Sequence, residues 1–110
     1  FDIDNVICKT IKSNYKNSKP ILKNIKCINK LYNDGYIIKI FTARFMGRTN
    51  DNSLIAKKSA KEITINQLKK WEVNYHKLFF GKPSSDLYID DKNLGFKNNW
   101  IIQLNKELKK

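Results

Sequence analysis

The chain has 110 residues, of which 22 are basic and 10 acidic, for a formal net charge of +12. That length suits one domain with one core, residues 1–110, and a hydrophobic fraction of 41% excludes a disordered chain. The charge would attract polyanions, but it is nearly all scattered lysine, with Arg44 and Arg48 the two arginines and Asn and Ile also over-used. Compositional drift explains this better than a nucleic-acid surface, so specific nucleic-acid binding is the lesser expectation.

No apolar run approaches the roughly 18 residues of a membrane span, and no signal-peptide pattern occurs, so no membrane partner is expected. Cys8 and Cys27 form no CxxC motif and lack metal-ligand companions. Two reduced thiols of this kind fit a cytoplasmic protein.

Residues 1–4 read as the end of a strand, with Phe1 and Ile3 alternating with Asp2 and Asp4. The chain opens almost on top of these residues, so the upstream part of that strand is expected to lie outside this numbering. Residues 9–18 are polar and aperiodic, a loop or short flap. A helix is expected over 19–34, with Pro20 in its first turn, Ile21, Ile25, Ile28 and Tyr32 on one face, and Gly35 as its stop. Residues 36–42 are β-rich and nearly continuously apolar, as in an interior parallel strand. A loop over 43–52 precedes a second helical region. There the Thr64-x-x-Gln67 spacing of a capping box predicts a helix over 64–72. Short strands are expected at 77–80 and 87–89. Residues 100–109 form either a helix or a strand followed by a helix. This alternation predicts an α/β fold, a single Rossmann-like parallel sheet with helices on both faces.

The polar residues of interest fall at predicted strand ends: Asp2 and Asp4, Thr42, and Asp90 with Asp91, while Lys82 follows a strand and Gly81. Ligands of open α/β sheets bind at that edge. Carboxylates hold a hard cation such as magnesium through oxygen. A hydroxyl and an ammonium can hold phosphoryl oxygens while charge develops on them. Asp2 and Asp4 share a face of the strand, so one can act as nucleophile and the other as acid and base.

The run Phe1-Asp2-Ile3-Asp4-Asn5-Val6 resembles the first motif of haloacid dehalogenase superfamily phosphatases. Ile40-Phe41-Thr42 resembles the second, Lys82 the third, and Tyr88-Ile89-Asp90-Asp91 the fourth, in the family's order. A wider pattern, including Thr42-Ala43-Arg44, Thr64-x-x-Gln67-Leu68-x-x-Trp71 and Gly81-Lys82-Pro83, is similar to a small branch associated with capsule and surface-polysaccharide biosynthesis.

The resemblance implies a Mg2+-dependent hydrolase, a phosphatase acting through an aspartyl phosphate on Asp2. In that scheme Asp4 supplies and removes protons, and Thr42, Ala43 and Lys82 hold the phosphoryl group. Asp2, Asp4, Asp90 and Asp91 hold the metal. Asn5 stands where relatives often have Gly, and it tolerates left-handed backbone; Val6 stands where many have Thr. The intervals between motifs are filled by about one helix each, so no cap domain fits and the site should be open. Only the 9–18 flap or a neighbouring subunit would shade it.

Arg44 is expected at the mouth, with substrate contact and a structural ion pair in balance. His76 is expected to make a structural hydrogen bond, and Trp71, Tyr75 and Tyr32 to belong to the core. The substrate implied is a small phosphorylated molecule, a sugar or sugar-derived intermediate. A phosphorylated nucleic-acid end and a non-catalytic binding module are the rivals.

Overall fold

The computed structural model describes residues 1–47 and 50–110; Arg48 and Thr49, inside the expected 43–52 loop, lie outside them. Strand β1 (Cys8–Lys9) pairs antiparallel with β2 (Lys19–Pro20), and β3 (Lys39–Thr42) pairs parallel with β4 (Lys77–Phe80). Three helices, α1 (Leu22–Asn33), α2 (Ser53–Lys70) and α3 (Trp100–Leu108), and a 3-10 turn at Tyr15–Asn17 complete the regular structure among the described residues.

This corrects the expected single Rossmann-like sheet with helices on both faces: the described residues build two separate two-stranded sheets. Two observations explain the difference. Residues 1–3 run beside β3 but make only one rung, in which the Phe1 nitrogen donates to Lys39 O and the Phe41 N–H to Phe1 O. The expected strand at 87–89 is irregular, with Leu87 and Ile89 76% and 94% exposed. A strand is held by its neighbour's ladder, and one rung offers too little of one. β3 is likewise not a strand covered on both faces. Ile40 and Thr42 are buried, whereas Lys39 and Phe41 are exposed, and Phe41 meets Phe79 edge-on at 6.5 Å on the open side.

The helices form for different reasons. α1 places Ile25, Ile28 and Leu31 on one buried face, at the spacing that brings side chains above one another along a helix. Gly35, at φ 96°, ends it, and the Tyr36 N–H donates to Leu31 O. Pro20 is not in its first turn, as expected, but in β2. α2 starts a full eleven residues before Thr64: Asn52 caps it, its side chain accepting from the Ile55 N–H at 3.1 Å. Its buried stripe is Ala56, Ala60, Thr64 and Leu68, at every fourth position and small in the first three, while Leu54 and Ile55 face outward. Thr64 and Gln67 are therefore mid-helix residues rather than a cap. α3 resolves the open choice at 100–109 in favour of a helix, seated by buried Trp100, whose ring meets Phe1 edge-on.

The core gathers Ile3, Ile7, Ile28, Ile38, Ile40, Leu68 and Val73, with Trp71, Tyr32 and Tyr75 packed against it. His76 closes the lower end of β3: Nδ1 accepts from the Ile38 N–H at 3.0 Å, and its ring stacks on Tyr32 at 4.5 Å. The substitution His76→Phe keeps the stacking and removes the acceptor. Chemical denaturation should therefore show a loss of about 1–2 kcal/mol, and an unchanged midpoint would mean that water replaces the bond at no cost.

Candidate active site

The site forms where residues 1–5 leave β3 and turn. The Ile3 carbonyl accepts from the N–H groups of Val6, Ile7 and Cys8, at 3.1, 2.8 and 3.2 Å, which winds the chain into a tight loop. Asn5 sits at φ 66°, the left-handed geometry the turn requires and asparagine tolerates. The loop displays Asp2 and Asp4 into a cavity of about 560 Å3, whose wall also includes Thr10, Lys12, Tyr15, Ala43, Phe45 and Ser84. Residues 9–18 form one side of it, with left-handed backbone at Lys12 and Ser13 (φ 47° and 58°).

Asp2 is half-buried. Its Oδ1 accepts from the Ile3 N–H at 2.8 Å, and its Oδ2 lies 3.6 Å from the Lys82 ammonium. Burial pushes the Asp2 carboxyl above the ordinary aspartate range, and the Lys82 charge pulls it part of the way back. Lys82 is placed by the end of the parallel ladder, its N–H donating to Thr42 O at 3.1 Å, and its ammonium also lies over the Tyr88 ring.

Asp4 is held from two sides. Thr10 donates its hydroxyl to Oδ1 at 2.6 Å, and Arg44 approaches with Nη2 at 3.0 Å from Oδ1 and Nε at 3.2 Å from Oδ2. Arg44 is 1% exposed, which settles the balance left open by the sequence: it is an internal ion-pair partner, sealed away from substrate. Thr42 is also fully buried. Its hydroxyl accepts from the Arg44 N–H at 3.1 Å, so it braces the turn behind Ala43, and Ala43 is the residue that reaches the cavity wall.

Asp90 and Asp91 are not brought to this place. Both are exposed; the Asp90 side chain accepts from the Lys92 N–H at 2.9 Å, a local turn whose hydrogen bond holds that carboxyl below its usual range. Among the described residues, no group of three His, Cys, Asp or Glu side chains is gathered that could hold a metal ion. Asp2 is engaged with Lys82 and Asp4 with Arg44, so the residues present do not fit the magnesium site that the four-motif pattern implies.

The sequence reading missed the supporting residues Thr10, Thr64 and Gln67. Thr10 carried no signal, being one polar residue in a polar loop. Thr64 and Gln67 did carry one, since their spacing places two polar groups on one helical face; that face turns toward Arg44. Cys8, buried beside Asp4, and half-buried Cys27 are both free thiols, and burial raises both above the ordinary thiol range.

No protein-family model matches the chain, and no curated protein matches it. A crystal structure of a Vibrio cholerae protein is similar in shape, with a TM-score of 0.79 and 27% identity over 97% of this chain and 94% of that one. That protein comes with no named activity, so the likeness bears on architecture. Among the described residues, no helix is long and apolar enough to cross a membrane.

Proposed function

We propose that this chain is a phosphate monoester hydrolase of the haloacid dehalogenase type, with Asp2 as the residue that takes up the phosphoryl group. The observation that carries the reading is a cavity wall with two carboxylates two residues apart, the half-buried first of which has an ammonium 3.6 Å away. A carboxylate can attack phosphorus, and a lysine beside it can bind the transferred group's oxygens.

In the first step an Asp2 oxygen bonds to phosphorus as the ester P–O bond breaks, and the leaving oxygen takes a proton from solvent. In the second, water attacks the aspartyl phosphate, Asp4 removes its proton, and inorganic phosphate leaves with Asp2 restored. Lys82 faces the phosphoryl oxygens throughout. The proposed substrate is a small phosphorylated sugar or sugar-derived intermediate of surface-polysaccharide synthesis, in the cytoplasm. Sugar chemistry enters through the resemblance alone; the cavity itself supports a small polar ligand, with Asn5, Thr10, Lys12 and Ser84 around the carboxylates.

The magnesium that the resemblance implies is no part of this proposal, because Asp90 and Asp91 stand exposed outside the cavity, and the steps above use Asp2, Asp4 and Lys82 alone. The exposed position of Asp90 and Asp91 favours a second reading, a non-catalytic domain that binds phosphorylated ligands. Phosphate release from sugar phosphates, nucleotides and phosphorylated oligonucleotides, with and without magnesium, separates the two. We expect turnover of a sugar phosphate that is lost when Asp2 becomes Asn. Binding without turnover across the panel would leave the binding module.

A further inference from the structure

We infer that Arg44 is the positioning residue of this site, fixing Asp4 in one orientation and coupling that orientation, through Gln67, to the flap that walls the cavity. The inference rests on the hydrolase reading for what Asp4 does, but its geometry stands apart from that reading. The guanidinium is sealed from water, and its N–H groups are divided among three elements. Nε and Nη2 go to Asp4, Nη1 goes to Thr64 Oγ1 at 3.1 Å and Gln67 Oε1 at 2.6 Å, and Nη2 also approaches Cys8 Sγ. Gln67 then uses its other end: Nε2 donates to the Tyr15 carbonyl at 2.6 Å, and the Tyr15 ring lies 5.0 Å from the guanidinium carbon.

One rigid planar group thus joins a carboxylate in the cavity, the middle of α2, and the 3-10 turn at Tyr15–Asn17. Thr64 and Gln67 stand three residues apart, so they present adjacent oxygens to one fork. The Gln67 amide cannot turn over without losing both partners, because the end facing Arg44 must accept and the end facing Tyr15 must donate. The flap, fastened at its base by the β1–β2 pairing and the Thr10–Ser18 hydroxyl contact, is thereby tied at Tyr15 to the residue that grips Asp4. Misplacing a reacting group by about 1 Å can cost roughly a hundredfold in rate, so a loosened flap should be read in the rate as well as in its own mobility.

The substitution Gln67→Leu removes both bonds at nearly constant volume, and Gln67→Glu keeps an acceptor for Arg44 while losing the donor to Tyr15. Three readouts are taken on the full chain: tryptic cleavage after the exposed Lys12 and Lys16, the exchange protection of the Arg44 Nε–H in NMR spectra, and phosphate release. Gln67→Leu should raise flap cleavage about tenfold or more, as expected when an open form gains population. It should also shift or deprotect the Arg44 signal and lower kcat by roughly a hundredfold. Gln67→Glu should free the flap while keeping more of the Arg44 protection.

Flap cleavage and an Arg44 signal at wild-type values in Gln67→Leu would overturn the coupling, whatever the activity. Should Gln67→Leu unfold, Gln67→Glu and the wild-type Arg44 signal decide instead: an unprotected Nε–H in the wild type overturns the inference. A protected signal and a loosened flap in a protein that hydrolyses no ester would support the coupling and overturn the hydrolase reading instead.

Discussion

Asp2→Asn should abolish phosphate release and, at neutral pH, leave the protein more stable than the wild type. Loss of activity follows from the chemistry, because an amide is a poor nucleophile and the reaction has no substitute for the first bond to phosphorus. The rate should fall by several orders of magnitude. The stability change follows from the environment. Burial disfavours the charged form of Asp2 more than Lys82 favours it, so its carboxyl titrates above the ordinary aspartate range.

For an acid with a raised folded-state pKa, the native protein binds more protons than the unfolded chain between the two values. Stability therefore falls as pH rises through that window. The penalty is absent below the ordinary aspartate range and complete once the pH exceeds the raised value. Asn pays no such penalty and can still accept from the Ile3 N–H. Thermal unfolding of both proteins in metal-free buffer, followed from acid to neutral pH, should show curves that coincide in acid and separate upward. A wild type that is the more stable at neutral pH would mean that the Lys82 pairing outweighs burial. Asp2 would then be a structural ion-pair partner rather than a group held at a cost for reaction.

The parts of the fold that could be read from sequence are those where one residue type carries the local physics. Ile25 and Ile28 recur at helical spacing and Gly35 alone can take φ 96° without strain, so α1 was visible within three residues at either end. β4 was visible as an aromatic run closed by Gly81-Lys82-Pro83. α2 was half hidden because its buried stripe is Ala56, Ala60 and Thr64, which carries little hydrophobic contrast, while Leu54 and Ile55 point outward. Pro20 illustrates a different limit: proline suits a helix's first turn and an edge strand equally, and only pairing with Cys8 decides between them.

The candidate site divides the same way. Lys82 could be named because it follows β4, and Asp2 and Asp4 because residues 1–3 run beside β3 even with a single rung, which brings them to the same edge. Asp90 and Asp91 were named on the same argument, but no strand forms before them. The strand's existence depended on a neighbouring ladder that the 1–3 segment does not supply beyond one rung. Arg44 was equivocal because burial is a tertiary property. An arginine beside a cavity and one beneath it have the same neighbours in sequence, and Thr64 and Gln67, which draw it inward, stand on an element separated from it by a loop.

Asp4→Ala should be the most destabilising substitution at the site, and more so than removing its partner. The Arg44 side chain is 1% exposed and that of Asp4 21%, so the pair is asymmetric. Deleting Asp4 strands a guanidinium charge that water cannot reach, at a cost of about 3–5 kcal/mol, a large share of the roughly 5–15 kcal/mol that holds a domain together. Arg44→Met leaves a carboxylate that can still face water and still accepts from Thr10, while the methionine fills the space. The double substitution Asp4→Ala with Arg44→Met should therefore recover part of the loss, so the two effects will not add. Asp4→Asn separates structure from chemistry. It keeps an oxygen for Arg44 and loses only part of the stability, yet it cannot take the proton of the attacking water. Its rate should fall on the order of 10²–10⁴-fold. Additive effects in the double variant would mean that the ion pair is not the link between Asp4 and the core. Full activity in Asp4→Asn would reduce Asp4 to a structural carboxylate and move the acid–base role elsewhere in the cavity.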